Sequence, residues 1–352
     1  MRILGRYILR VFSKFLSWSL LAFLLLFVVV DLVENIDRFV DRRVPPKEVG
    51  LYYLYYLPYI LVLVLPVGML LSALFSVGQL SRSGELVAMR ASGLGLKRAF
   101  LPLLAFAFLV SVFAMAFGEM VVPEANDRRM HLGAYRRNRP ARLRGLFLQE
   151  GEGTVVFVGR YDAKDEEASD VSVQQYRGDH LYRRIDAKRM IWKDGRWVLY
   201  EGWERTFGDE GEVLRKFEVM DAPIRSLLPE DFARGREHPE RMGFWELRRY
   251  IGRLRRIGRP SRRWEVDLHL KISFPFANLI LVLLGLPLGV GRRGTGKVVG
   301  FGLSLLVSFL YYSAVRAGQV MGREEVLPPA LAAWLGNIIF GGAGAWLFLR
   351  ME

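Results

Sequence analysis

Apolar and charged positions along this chain are segregated into long blocks. Six runs carry no Asp, Glu, Lys or Arg, and the apolar spans read around them are Phe15–Val33, Tyr53–Val77, Ala99–Met120, Ile272–Val290, Val298–Gln319 and Leu327–Leu349. About 20 helical residues, at ~1.5 Å each, cross a ~30 Å hydrocarbon core. Each span is therefore predicted to be a transmembrane helix. The second opens on Tyr52, Tyr53, Tyr55, Tyr56 and Tyr59, an aromatic cluster suited to the headgroup layer. Met1–Lys14 is basic, but the apolar run after it continues to full length without a small-residue cleavage site, so a removable signal peptide is not expected.

Between the third and fourth spans the period changes. Residues 123–266 hold 31 basic and 25 acidic side chains and read mostly as short strands. Leu146–Gln149 and Thr154–Val158 flank Gly151-Glu152-Gly153, Val171–Tyr176 alternates, and Val213–Met220 adds another strand. Arg189–Lys193 and Arg196–Tyr200 flank Asp194-Gly195, a two-residue hairpin signal. Strands at this spacing predict a sandwich or jelly roll. Phe244–Ile257 then reads as an amphipathic helix, with Phe244, Leu247, Tyr250, Ile251 and Leu254 on one face and Arg248, Arg249, Arg253, Arg255 and Arg256 on the other. The predicted fold is an α-helical membrane protein with six transmembrane helices and an inserted all-β, jelly-roll-like domain. Its parts are 1–122 (three spans), 123–266 (the β domain with a C-terminal helix) and 267–352 (three spans).

Composition sharpens this picture. The 352 residues carry a net charge of +14, with 50 basic residues of which nine are lysine, so arginine dominates. Arginine suits the gripping of phosphate or carboxylate. Runs of this length exclude a soluble enzyme, and zero cysteines exclude disulfides, thiol catalysis and cysteine-ligated metals. Lys and Arg dominate the N-terminus (Arg2, Arg6, Arg10, Lys14), the second–third connection (Arg82, Arg90, Lys97, Arg98) and the fourth–fifth loop (Arg292, Arg293, Lys297). The remaining short loops are balanced or acidic. By the positive-inside rule both termini are expected in the cytoplasm and the β domain outside.

Few motifs carry chemistry. Gly291-Arg-Arg-Gly-Thr-Gly296-Lys297-Val298 approaches a phosphate-binding loop but lacks the Ser or Thr after lysine and sits between two spans. It is read as a basic loop, and no ATPase site, metal site or bound cofactor is expected in this chain. His131, His180, His238 and His269 are scattered, and Glu265 with His269 does not make a metal site. Gly78–Gly93 is more informative. Glu85–Ala91 is predicted to form a short cytoplasmic helix, stopped by Gly93 and Gly95, with Leu86 and Met89/Arg90 on one face. It reads either as a plain connector or as a peg for a groove on another protein. Near the outer edge of the bilayer core, Asp31 lies ~24 Å along the first span and Arg316 ~27 Å along the fifth. Such charges require pairing or a route to the headgroups, so either an Asp31–Arg316 pair or snorkelling is expected. Arg38, Arg42 and Arg43 add a basic cluster beyond Asp31.

These residues resemble a known family across nearly the whole chain. Arg6-Tyr7-Ile8-Leu9-Arg10, the segment 78–93 and Leu268-His-Leu-Lys271-Ile-Ser-Phe-Pro275 are similar to the LptF/LptG (YjgP/YjgQ) permeases, and Leu327–Asn337 is more like the LptG branch. The resemblance implies one half of an ABC transporter's permease pair in a bacterial inner membrane. It would extract lipopolysaccharide and pass it to a periplasmic bridge. The implied partners are a cytoplasmic LptB-like ATPase dimer, which binds ATP and magnesium, an LptF-like sister permease, a single-span LptC-like protein and an LptA-like bridge; nucleic acid is not among them. The implied coupling residues are Glu85, Leu86, Met89 and Arg90, and the implied lateral gate carries Asp31, Arg38, Arg42 and Arg316. LptG proteins often have lysine where this chain has Asp31 followed by arginines. A non-transporting assembly protein with an outer β binding domain is the alternative.

Overall fold

A computed structural model describes residues 2–41, 44–132, 142–150, 153–162, 165–178, 180–208, 211–224, 227–229, 232, 242–256, 261–290 and 297–351. The chain divides into two compact units: a helical one of residues 1–134, 239–255 and 259–352, and a β unit of 135–238 with 256–258.

In the helical unit, α1 (Arg2–Asp41), α2 (Pro46–Arg82), α3 (Glu85–Ala91), α4 (Leu96–Met120) and α5 (Val122–His131) precede the β insertion. After it come α6 (Phe244–Arg256), α7 (Arg262–Ser273), a 3-10 turn at Phe274–Phe276, α8 (Ala277–Val290), α9 (Lys297–Arg323) and α10 (Pro329–Leu349). Six helical segments are long and apolar enough to cross a membrane, and they fall where the charge-free runs do. Their burial differs sharply. The most apolar window of α2 is 72% buried, that of α1 only 11%. The second span is thus the axis of the unit, and the first offers its apolar surface to lipid or to another protein.

Small residues bring α8 against that axis. A Cβ at Gly285 would lie 2.8 Å from Leu70 Cδ1 and one at Gly289 would lie 2.9 Å from Val77 Cβ. The Gly-x-x-x-Gly spacing lets two backbones approach where lipid gives no hydrophobic drive to associate. Around this contact Met69, Ala73, Val77, Val282 and Leu286 join Ile8, Phe12, Phe100 and Leu103 in one buried cluster.

The β unit is a six-stranded antiparallel sheet in the order β1 (Arg142–Glu150), β2 (Thr154–Asp162), β3 (Glu167–Arg177), β4 (His180–Lys193), β5 (Arg196–Gly208), β6 (Gly211–Asp221). The inserted all-β domain is present, and among the described residues its strands run as an up-and-down meander. Asp194 and Gly195 both adopt positive φ (50° and 78°), as a tight hairpin with the strands' twist demands. Val156, Val158, Val171, Val173, Ile185 and Leu199 line one buried face. Trp197 closes it, its indole N–H donating to Leu227 O at 2.8 Å while its ring meets Tyr161 and Phe232.

The β unit is narrower than the 123–266 insertion. The helix predicted at Phe244–Ile257 forms as α6, but it belongs with the helical unit. Its buried Leu247 and Ile251 pack with Met242 against Trp264 and Leu268. Its first amide donates to Glu119 at the end of α4. An amphipathic helix goes where its apolar face is covered, and here α7 covers it.

Candidate functional site

The short helix α3 is held at both ends by glycines in the left-handed region, Gly84 and Gly93, both at φ 76°. A side chain would be strained at either position. Leu86 and Met89 are buried in the same cluster as Ile8, Phe12, Leu96 and Phe100. They anchor α3 to the unit and offer no surface to a partner, whereas Val87 and Arg90 are exposed. The face expected to join Leu86, Met89 and Arg90 is therefore split, because the two apolar residues turn towards the core.

Glu85 opens the helix. Tyr7 of α1 donates its hydroxyl to Glu85 Oε1 at 3.1 Å, and Ser83 donates to the same oxygen at 2.6 Å. Both donors converge on one oxygen, and no hydrogen bond to Oε2 is formed among the described residues. Tyr7 lies 78 residues before Glu85 and ties the base of the first span directly to this helix.

At the opposite end of the unit, the Asp31–Arg316 pair is not formed within the chain. Asp31 accepts from the hydroxyl of Tyr53 on α2 at 3.0 Å, and Arg316 donates to Gln319, one turn on, at 2.9 Å. A neutral phenol satisfies the acid, and Arg316 remains an exposed cation on α9. The side chain of Arg38, together with Arg42 and Arg43, lies outside the described residues, as does the Gly291–Gly296 part of the phosphate-loop-like stretch.

Sequence reasoning missed a polar knot inside the helical unit. Tyr311 donates to Asn337 Oδ1 at 2.6 Å, Asn337 Nδ2 donates to Ser273 O at 2.6 Å, and Ser273 Oγ donates to Ala333 O at 2.8 Å. The knot sits where Pro275, lacking an N–H, breaks the fourth span into α7 and α8. Asn278 covers the Pro275 carbonyl at 2.8 Å. Irregular backbone at membrane depth needs such partners. Nearby, Arg323 and Asp267 form a half-buried ion pair at 2.9 Å. The signal for the knot was present in the two stretches that carry Ser273 and Asn337, but nothing in either indicates that they meet.

The family described as lipopolysaccharide export system permease LptF/LptG matches residues 6–350. The chain belongs to that family. It is 22% identical over 362 residues to the lipopolysaccharide export system permease protein LptG of Escherichia coli (strain K12), covering 99% of this chain and 98% of that protein. Haemophilus influenzae LptG is 23% identical, covering 81% of each chain. LptF of Escherichia coli (strain K12) is 21% identical over 368 residues, covering 96% of this chain and 92% of that protein. This LptF/LptG chain stands closer to LptG than to LptF. Membership makes it a transport permease of the inner membrane with several spans. The matched range, residues 6–350, includes α3, the polar knot and the β unit.

Proposed function

We propose that this chain is one half of a permease pair that a cytoplasmic ATPase drives to lift lipopolysaccharide from the outer leaflet and hand it to a periplasmic bridge. The basic short loops support an arrangement with both termini and α3 in the cytoplasm and the β unit in the periplasm. Extraction is steeply uphill. Each methylene leaving the bilayer costs ~0.8 kcal/mol, and a lipid with several acyl chains exposes dozens. The work therefore comes from ATP and magnesium bound by a partner, and this chain must receive it mechanically.

The observation that carries the reading is α3: a peg pinned by Leu86 and Met89, with Glu85 half-engaged by Tyr7 and Ser83 and one oxygen left for a partner's cation. The thinly covered first span and α9 provide the apolar wall for acyl chains, with Arg316, Arg38 and Arg42 as the cations for phosphate. An LptF-like sister permease completes the cavity, and LptC-like and LptA-like proteins receive the lipid.

The test is reconstitution of the purified permease pair and ATPase in liposomes containing lipopolysaccharide. Release to a soluble bridge protein should require ATP and should fall at least tenfold in Glu85→Ala, with the complex still folded. Arg316→Ala should weaken photocrosslinking of lipopolysaccharide to α9. ATP-independent release, or full activity of Glu85→Ala, would contradict the reading.

A further inference from the structure

The arginine-rich face of α6 has no role in the function proposed above, yet its placement is specific. The Phe244 amide is bonded to Glu119, at the point where α4 ends its charge-free run. At the other end of the same helix, Arg255 pairs with Glu265, in the first turn of α7, at 2.9 Å. Since α7 runs inward from Glu265 to its apolar end, α6 lies antiparallel beside it with its start nearest the bilayer. Trp245 is one residue beyond that start and 64% exposed. Arg248 follows one turn later, ~5 Å farther out, with its guanidinium 5.6 Å from the Trp245 ring, and Arg249 is exposed beside it. Neither Arg248 nor Arg249 forms an ion pair among the described residues.

We infer that Trp245, Arg248 and Arg249 form a binding site for the phosphate of an anionic phospholipid, phosphatidylglycerol, in the leaflet on the β-insertion side. The chemistry fits in layers. An indole is favoured at the boundary of acyl chains and headgroups, where one edge is wet. One turn outward is the phosphate plane, and a planar guanidinium donates two N–H groups to two phosphate oxygens. The cation–π contact keeps the Arg248 guanidinium beside the Trp245 ring. The buried face of α6 is already covered by Trp264 and Leu268, so the lipid takes only the opposite side. The site would fix the height of the β insertion's exit helix relative to the membrane, and it stands independently of which cargo is moved.

The experiment uses the full chain in nanodiscs of phosphatidylcholine with and without phosphatidylglycerol. Lipids brominated near the headgroup should quench the wild type more than Trp245→Phe; equal quenching would place Trp245 away from lipid and overturn the site. In native mass spectrometry, Arg248→Gln with Arg249→Gln should lower retention of phosphatidylglycerol roughly 10- to 30-fold while leaving phosphatidylcholine unchanged. Unchanged phosphatidylglycerol retention would overturn it. Preferential retention of lipopolysaccharide through the same two arginines, or protection of Trp245 by an added protein and not by lipid, would equally reject phosphatidylglycerol as the occupant.

Discussion

At Glu85 two hydroxyls share one carboxylate oxygen, and the donors come from different elements: Ser83 from the turn before α3, Tyr7 from the first span. Removing Tyr7's hydroxyl leaves Glu85 charged but freer to rotate. Tyr7→Phe should therefore weaken ATPase association about 3-fold, against roughly 10- to 100-fold for Glu85→Ala, which removes a charge-assisted partner. Titration of the detergent-solubilised permease with the ATPase measures both, and a Tyr7→Phe affinity equal to wild type would show the tether to be idle. A second residue of this kind lies in the β unit. Burial against Trp197 and Phe232, with Glu166 and Asp162 adding to it, pushes the Tyr161 hydroxyl up from 10.0 to about 12. The folded state thus holds its proton more tightly than the unfolded state. The stabilisation is complete below about pH 10 and is lost as pH climbs towards about 12. Pulse proteolysis across that window should show the wild type losing more resistance than Tyr161→Phe, which lacks this hydroxyl.

Among elements, the tightest constraint is the meeting of α2 and α8. Val77 Cβ stands 2.9 Å from where a side chain at Gly289 would begin, and Val77 is a stiff, β-branched residue unable to swing aside. Gly302, inside α9, has nothing within 4 Å of the same position. Gly289→Val should lower the thermal midpoint in detergent through ~1–3 kcal/mol of overpacking, and Gly302→Val should not; equal losses would mean that helix propensity dominates. This scale also marks what the sequence makes legible. The spans appear in the charge-free runs because crossing lipid requires them. The Asp194-Gly195 hairpin is readable because left-handed φ angles restrict which residues can stand there. α6 is readable from its period. The pairing of Asp31 was not readable. A charge invites an opposite charge as its expected partner, yet a tyrosine hydroxyl from the next helix satisfies it. The Tyr311–Asn337–Ser273 knot escaped for the same reason: neutral donors 26 and 64 residues apart leave no periodicity. Leu86 and Met89 were correctly apolar and helical, but a 7-residue pattern does not say whether its apolar side faces a partner or its own core.

For the molecule as a whole, the mechanism depends on α3 and the β unit lying on opposite sides of the membrane, so that work enters at one end and lipid leaves from the other. The loop charges alone argue for this, and the chain itself offers a clean way to check it, because it contains no cysteine. One cysteine placed at Arg90 and, in a separate variant, one at Lys188 are both at exposed positions, on α3 and β4 respectively. In intact spheroplasts a membrane-impermeant maleimide should label Lys188→Cys and leave Arg90→Cys untouched, and inside-out vesicles should reverse the pattern. Lys188 pairs with Glu201 at 2.6 Å, but both side chains are largely exposed and the pair contributes little, so its loss should not disturb the sheet. Labelling of both sites from one side would disconnect the peg from the ATPase compartment or the β unit from the bridge. Either result would leave the permease without a path from nucleotide to lipid. The expected reversal would put Glu85 and Tyr7 at one end of the proposed route, which runs up the first span to its thinly covered surface.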